Sequence, residues 1–388
     1  MTHVPARDRQ LDLLYSDTET ELRAAVREVL ADKAGWRDVL ARTETAETYD
    51  TALWRTLAAE VGVAGLLIPE ALGGAGASYR EAAVVAEEIG RGITPVPFLG
   101  SAVVATTALL SAGDLELLTE LASGSLTAAL AVPFATVPGR LPAPTVRIEG
   151  ARADDPTATY RLSGQVLGVA DALPADVLLV PADGVPYGLY AVRVREAGVG
   201  VAPVVSLDQT RQLGDLTLAG AAARRVASGP AAEAAVVAAL LAGAGVLASE
   251  QFGLAERALE VTVAYVQERR QFARPVGGFQ AIKHRLADLW VAVTQARAVA
   301  RSAANGLVND NGTETELAVA LAKAACSDTA LKAAQEMIQL HGGIGFTWEH
   351  PAHLFLKRAK ADSIGFGTAD AHRASLARLV NLLPPSAS

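Results

Sequence analysis

Six histidines, one cysteine and several glycine-rich runs are where this sequence of 388 residues could do chemistry. His350 and His353 form an H-x-x-H pair. Pro351 interrupts it and no acidic residue stands at zinc-site spacing, so the pair reads as helix-end or surface histidines, with no metal. Cys326 lies among alanines at helical spacing and reads as inert core. A lone cysteine forms no intrachain disulfide, which fits a reducing cytoplasm. No G-x-G-x-x-G follows a strand, so a Rossmann dinucleotide site has no support. Gly243-Ala244-Gly245 falls inside a helical stretch, where small residues permit close helix packing. Taken alone, Arg269 reads as a surface salt bridge, and Phe272 and Phe279 as core packing.

The net charge of −8 and the pI near 5.4 give no general attraction to nucleic acid or to an anionic membrane. With 51% hydrophobic residues, the length suits two or three packed domains. Residues 1–21 are dotted with charges and lack an apolar centre, so no signal peptide is expected and the predicted location is the cytoplasm. Residues 234–249 carry no charge, but the run falls short of the ~20 residues of a bilayer span. Built of Ala and Gly between Glu233 and Glu250, it predicts a buried helix and no membrane span.

Helical spacing covers residues 18–40 and 54–61. Glycines interrupt at 62–76. Ser78 and Glu81 then form a capping box that opens a helix through Ile89, and Pro95 and Pro97 stop it. More helix runs to about Ser123. From about Leu126 to Val226, short apolar runs between turn signals read as strands, notably 177–180, 189–192 and 216–218. Helical period returns at Pro230 and persists to about Leu383, with a second capping box at Thr313 and Glu316. The predicted fold is mainly α with a β middle domain: a helical domain over 1–125, a β domain over 126–228 and a helical bundle over 229–388.

The C-terminal third carries longer patterns. Glu268-Arg269-Arg270-Gln271-Phe272-Ala273-Arg274-Pro275-Val276-Gly277-Gly278-Phe279-Gln280 resembles the acyl-CoA dehydrogenase signature E-R-x-x-F-G-x-P-I-x-x-F-Q. Gln339-Leu340-His341-Gly342-Gly343-Ile344-Gly345-Phe346, continuing to Pro351, resembles that family's second signature. The segments 65–70, 87–91 and 95–98 fit as well. The resemblance implies a helical N-terminal domain, a middle β-barrel-like domain and a C-terminal four-helix bundle. It also implies FAD at a subunit interface, its adenosine and pyrophosphate half held by the neighbour's C-terminal domain. Arg269 then matches the arginine that meets the pyrophosphate, where a guanidinium suits an anionic partner. Gln271 and Phe272 match neighbours of that contact, and Gln339 a glutamine near the adenosine. Gly342 and Gly343 match glycines whose N–H groups face phosphate or ribose oxygens. Thr368, in a Gly-Thr dipeptide, completes the cofactor candidates.

In this family a carboxylate removes the proton beside the thioester while a hydride leaves the next carbon for the flavin. Most members place a glutamate just before Gly-Thr. Here Ser363-Ile364-Gly365-Phe366-Gly367-Thr368-Ala369-Asp370 puts Phe366 there, which accepts no proton. The other family position, on the first bundle helix, falls near Gly243. Glu250, two turns further on, and Asp370, one turn beyond Phe366, are the remaining acids. Asp370 reads as a substitute base or as a solvated, helix-starting aspartate. The family's T-E-P-x-x-G-S-D and W-I-T-N motifs are missing too, from 132–139 and from Leu167-Gly168-Val169-Ala170.

The residues kept serve a flavin bound by a neighbour, and those lost serve a flavin bound by the chain itself. The resemblance therefore implies the base-less subunit of a heteromeric, FAD-dependent acyl-CoA dehydrogenase, often α2β2, whose other chain supplies the glutamate. Its substrate would be a bulky or branched acyl-CoA thioester, such as a sterol side chain, and its acceptor an electron-transfer flavoprotein or similar. Two alternatives stand beside it: a self-sufficient homo-oligomeric flavoenzyme, with Asp370 as base or with oxygenase-like chemistry needing none, and a flavin-free scaffold. Around Phe366 the sequence predicts an apolar pocket or a filled one.

Overall fold

The computed structural model describes residues 12–47, 49–149, 159–184 and 186–382. The expectation of no signal peptide rests in part on residues 1–11, which lie outside the described residues.

The N-terminal part is helical. Ser16 and Glu19 close a capping box that opens α1 (Asp17–Lys33). Gly35 then separates α1 from α2 (Trp36–Thr43), so the single helix expected over 18–40 is two. Next, α3 (Thr51–Thr56) runs into a π-helical turn over Leu57–Val61. The capping box expected at Ser78 and Glu81 is formed and opens α4 (Tyr79–Gly92). A π-helix over Phe98–Ala105 leads into α5 (Thr106–Ala112), and α6 (Leu115–Ala122) follows. The wide π turn has a local partner: the Gly100 N–H donates to the Asp171 carboxylate at 2.8 Å.

The middle part is a seven-stranded sheet of β1 (Ala128–Leu130), β2 (Val146–Glu149), β3 (Tyr160–Ala170), β4 (Val177–Ala182), β5 (Gly188–Arg193), β6 (Val199–Pro203) and β7 (Leu213–Ser228). The order is β1-β4-β5-β7-β3-β2, with β6 also paired to β7. One half of the long β7 pairs with β5 and the other with β3 and β6, which wraps the sheet around a core of Leu162, Val180, Tyr190 and Leu216. Glycines at positive φ (Gly164, Gly168) and register shifts interrupt β3.

The C-terminal part begins with α7 (Pro230–Glu268) and the hairpin β8 (Arg270–Gln271) and β9 (Arg274–Pro275). Two more long helices follow, α8 (Gln280–Asn309) and α9 (Thr313–His341). The bundle's fourth side is α10 (Ala352–Asp362) and α11 (Ala369–Leu379), both packed on α9. By length and composition alone α7 could cross a membrane, yet its apolar window is 67% buried inside the protein. It packs through small residues: a Cβ on Gly245 would come within 2.8 Å of Leu307. The capping box expected at Thr313 and Glu316 does not form. Gly312 caps α9, and the Thr315 hydroxyl donates to the Gly306 carbonyl instead.

Candidate functional site

The loop between α10 and α11 carries Phe366 into the interior, with 4% of its surface exposed. Its backbone is left-handed (φ 51), a strained setting for a residue with a side chain. The loop is clasped on several sides. The Phe366 N–H donates to the Phe134 carbonyl at 2.7 Å, and His372 Nε2 lies 2.8 Å from the Phe366 carbonyl. Lys323 Nζ donates to Gly367 O, Asp362 O and Ser327 Oγ. Burial lowers Lys323 to about 8 and His372 to about 4, so His372 is neutral at pH 7 and donates through Nε2–H.

The Phe366 ring meets Phe134 edge-on, with centroids 5.4 Å apart. It also lies against Gly243 of α7, where a Cβ would come within 2.6 Å of the ring and 2.9 Å of Val104. Positions 366 and 243, where the resemblance puts a base, are thus in contact. A ring fills one, and the other has no side chain, which leaves room for that ring. The void beside them is about 20 Å³, walled by Leu99, Val104, Leu130 and Phe134 among others. The pocket is therefore a filled one.

One carboxylate does touch this void, and sequence reasoning missed it. Asp171 accepts from the Tyr49 hydroxyl at 3.0 Å and from the Gly100 N–H at 2.8 Å, and burial raises its pKa. Both oxygens are engaged in tying β3 to the N-terminal helices. No spacing in the sequence signals it, because its partners lie 71 and 122 residues away.

The acids weighed as substitutes stand elsewhere. Glu250 is locked between two guanidiniums: Arg211 Nη2 reaches its oxygens at 2.7 and 2.6 Å, and Arg358 Nε reaches Oε1 at 2.8 Å. Burial alone would raise its pKa, but the two arginines outweigh that and hold it below its ordinary value. Its neighbour Asp362, buried beside the Glu250 charge, is pushed up instead. The cluster pins the middle domain to the bundle, so Glu250 is a structural counter-ion. Asp370 is exposed in the first turn of α11 and pairs with Arg373 at 3.0 Å, the setting of the solvated, helix-starting alternative. Thr368 is also exposed, and its hydroxyl caps α11 by accepting the Ala371 N–H.

The remaining cofactor candidates gather at the far end of the bundle. Tyr265, one turn before Arg269, stacks on His341 at 4.2 Å and donates to its carbonyl at 3.3 Å. This joins the end of α7 to the end of α9, so that Arg269 and Gln271 emerge near Gln339, Gly342 and Gly343. All five are exposed, and a Cβ on either glycine would meet nothing within 4 Å. Among the described residues Arg269 has no ion-pair partner. Phe272, Phe346 and Trp348 stand out at 87%, 76% and 60% exposure. His350 lies tilted against His341 at 4.2 Å and His353 meets Trp348 at 4.6 Å, and no group of three or more metal-ligating residues is found among the described residues. On the β domain, Thr136, Gln165 and Leu167 line an open cleft of about 720 Å³.

The two ends of α9 therefore present different surfaces. Compared with family models, residues 16–124 match the acyl-CoA dehydrogenase N-terminal domain and residues 218–380 the C-terminal domain. The chain belongs to the acyl-CoA dehydrogenase family. It is 37% identical over 340 residues to acyl-CoA dehydrogenase IpdE2 of Mycobacterium tuberculosis, covering 87% of this chain and 89% of that one. Among solved structures it resembles the Tcur3481-Tcur3483 steroid ACAD, in a variant form, with TM-score 0.81 and 30% identity over 94% of this chain and 98% of that one. It also resembles the ChsE4-ChsE5 complex from Mycobacterium tuberculosis, with TM-score 0.84 and 27% identity over 96% and 100%. In this acyl-CoA dehydrogenase chain, the position where the resemblance puts a glutamate holds a packed phenylalanine, Phe366.

Proposed function

We propose that this chain is the base-less subunit of a hetero-oligomeric, FAD-dependent acyl-CoA dehydrogenase that desaturates a steroid-derived acyl thioester, with a second dehydrogenase chain supplying the carboxylate. The observation that carries this reading is the Phe366 ring packed against Gly243, with about 20 Å³ left beside it. That is room for about one water molecule and not for an acyl chain. Relatives described as a steroid ACAD and as a two-chain complex support the substrate class and the pairing.

The residues fit one part of FAD and not the rest. Arg269, Gln271 and the open Gly342-Gly343 backbone suit a diphosphate and ribose. Beside position 366, where the resemblance would put substrate and flavin, two phenylalanine rings meet edge-on. The two regions also stand far apart: from Lys323 to His341 is eighteen residues along α9, or about 27 Å at about 1.5 Å each. A bound FAD would supply the hydride acceptor for the β-carbon. The α-proton has no acceptor at 366 or 243, so this chain's part is to hold the diphosphate end of a flavin whose ring lies in the partner.

The test is expression of the chain alone and together with dehydrogenase chains that carry glutamate before Gly-Thr. The lone chain should be colourless and inactive, and the pair should hold flavin and oxidise steroid acyl-CoA. Stoichiometric FAD and acyl-CoA turnover in the lone chain would refute the reading.

A further inference from the structure

The hairpin after α7 turns through two residues, Phe272 and Ala273, both left-handed (φ 52 and 61). Gln271 pairs with Arg274 and Arg270 with Pro275. The Val276 N–H donates to the Arg269 carbonyl at 2.8 Å, which extends the pairing by one residue. Side chains alternate along an extended strand, and directly opposed residues share a face. Arg269, Gln271 and Arg274 therefore share one face of the hairpin, and Arg270 belongs to the other. As diagonal neighbours, Arg269 and Arg274 lie roughly 7–8 Å apart at Cα, within reach of two arginines closing on one anion.

Arg274 is already positioned for this. Its guanidinium lies 3.9 Å from the centre of the Phe279 ring, whose edge Phe272 meets at 6.1 Å. Stacking uses the flat face of a guanidinium and leaves its in-plane N–H groups free for oxygen ligands. Among the described residues neither Arg269 nor Arg274 has an ion-pair partner. Residues 268–285 hold five Lys and Arg against one Glu, 5 − 1 = +4, in a chain of net charge −8. Of those five, Arg285 is neutralised by Glu336.

We propose that Arg274 is a second diphosphate-binding residue, which forms with Arg269 a two-guanidinium clamp on one face of the hairpin. The clamp grips the pyrophosphate of an FAD whose flavin ring sits in the partner chain, and in that respect it rests on the function proposed above. Two planar forks match the two phosphates, one each.

The experiment uses the assembly of this chain with its dehydrogenase partner, stripped of flavin and titrated with FAD or with riboflavin, which lacks the diphosphate. The variants are R269Q, R270Q, R274Q and R274K. R274Q should weaken FAD binding at least about tenfold, the scale of one charge-assisted hydrogen bond, and leave riboflavin binding unchanged. R274K should recover part of the loss, and R270Q, on the opposite face, should match the parent. If R269Q loses FAD while R274Q stays within about twofold of the parent, Arg274 has no such role and the proposed function stands. If both variants keep FAD, the clamp falls together with the reading of a flavin held between chains. If R274Q does not assemble, R274K decides: parental FAD affinity in that variant overturns the clamp, because lysine keeps the charge but not the fork.

Discussion

Gly243 and Phe366 should be energetically coupled, and the sign follows from their contact. Phe366→Ala removes a buried ring, which in a packed core costs about 3–5 kcal/mol. The left-handed backbone remains, so its strain is common to both forms. Gly243→Ala has two opposed effects. Within a helix, alanine gains about 1 kcal/mol over glycine. Its methyl would also come within 2.6 Å of the Phe366 ring and 2.9 Å of Val104, and such overpacking costs about 1–3 kcal/mol. The net effect of Gly243→Ala alone is about 0–2 kcal/mol of destabilisation. With the ring gone, the tighter clash disappears and the Val104 methyl can shift into the vacated space, so the same change becomes stabilising by about 1 kcal/mol. The helix contribution cancels across the cycle, which leaves about 1–3 kcal/mol of coupling in favour of the double variant. Urea denaturation of the four proteins, followed by two probes to check for one transition, measures it. Additivity within about 0.5 kcal/mol would refute the packing of Phe366 on Gly243, and with it the observation on which the proposed function rests.

Ala273 adopts φ 61 where the family signature has glycine. An L-residue there costs about 1–2 kcal/mol and glycine about 0.5–1 in chain entropy, so Ala273→Gly should stabilise by up to about 1 kcal/mol. A lower melting temperature for that variant contradicts the assigned turn. Burial holds His350 and His372 at about 4 and also lowers His341 and His353. Imidazoles depressed in the fold take up protons on unfolding, so stability is lost as pH falls from about 6.5 towards 4. Urea midpoints should drop across that window, and less so in His372→Gln, which keeps a donor for the Phe366 carbonyl. A flat profile rejects the burial argument. Glu250→Gln leaves Arg211 and Arg358 short of a buried counter-charge and should cost about 3–5 kcal/mol. A Glu250→Gln protein as stable as the parent, yet inactive in the assembly, would return Glu250 to the list of bases.

Local chemistry made much of this legible. The capping box at Ser78 and Glu81 involves neighbours in sequence and forms as expected. The uncharged run before Glu250 is a buried helix because Ala and Gly let helices approach closely. The box at Thr313 and Glu316 does not form because Thr313 is already the first helical residue, and the cap before it, Gly312, has no side chain to accept an N–H. In the middle domain, glycine-interrupted β3 and short β6 lack a clean alternation, and β7 changes partners halfway along. The clasp on Phe366 was out of reach for another reason. Phe134, Lys323 and His372 come from three separate elements, and no spacing rule relates them. Arg274 was passed over because its significance depends on sharing a hairpin face with Arg269.

Stability and function pull on opposite ends of α9. Around Lys323, polar groups find partners, an apolar ring fills the space a base would need, and little void is left. That is what packing alone favours once a site has no proton to move. Around His341 the reverse holds. Two consecutive non-glycine residues sit at positive φ, Phe272, Phe346 and Trp348 face outwards, and Arg269 and Arg274 have no ion-pair partner among the described residues. Each of these costs free energy in the isolated chain, and the ring contacts of Phe272 with Phe279 and of Trp348 with His353 leave most of that surface in water. The proposed function accounts for this asymmetry, because a partner and an anionic ligand at the outer surface would offset those costs.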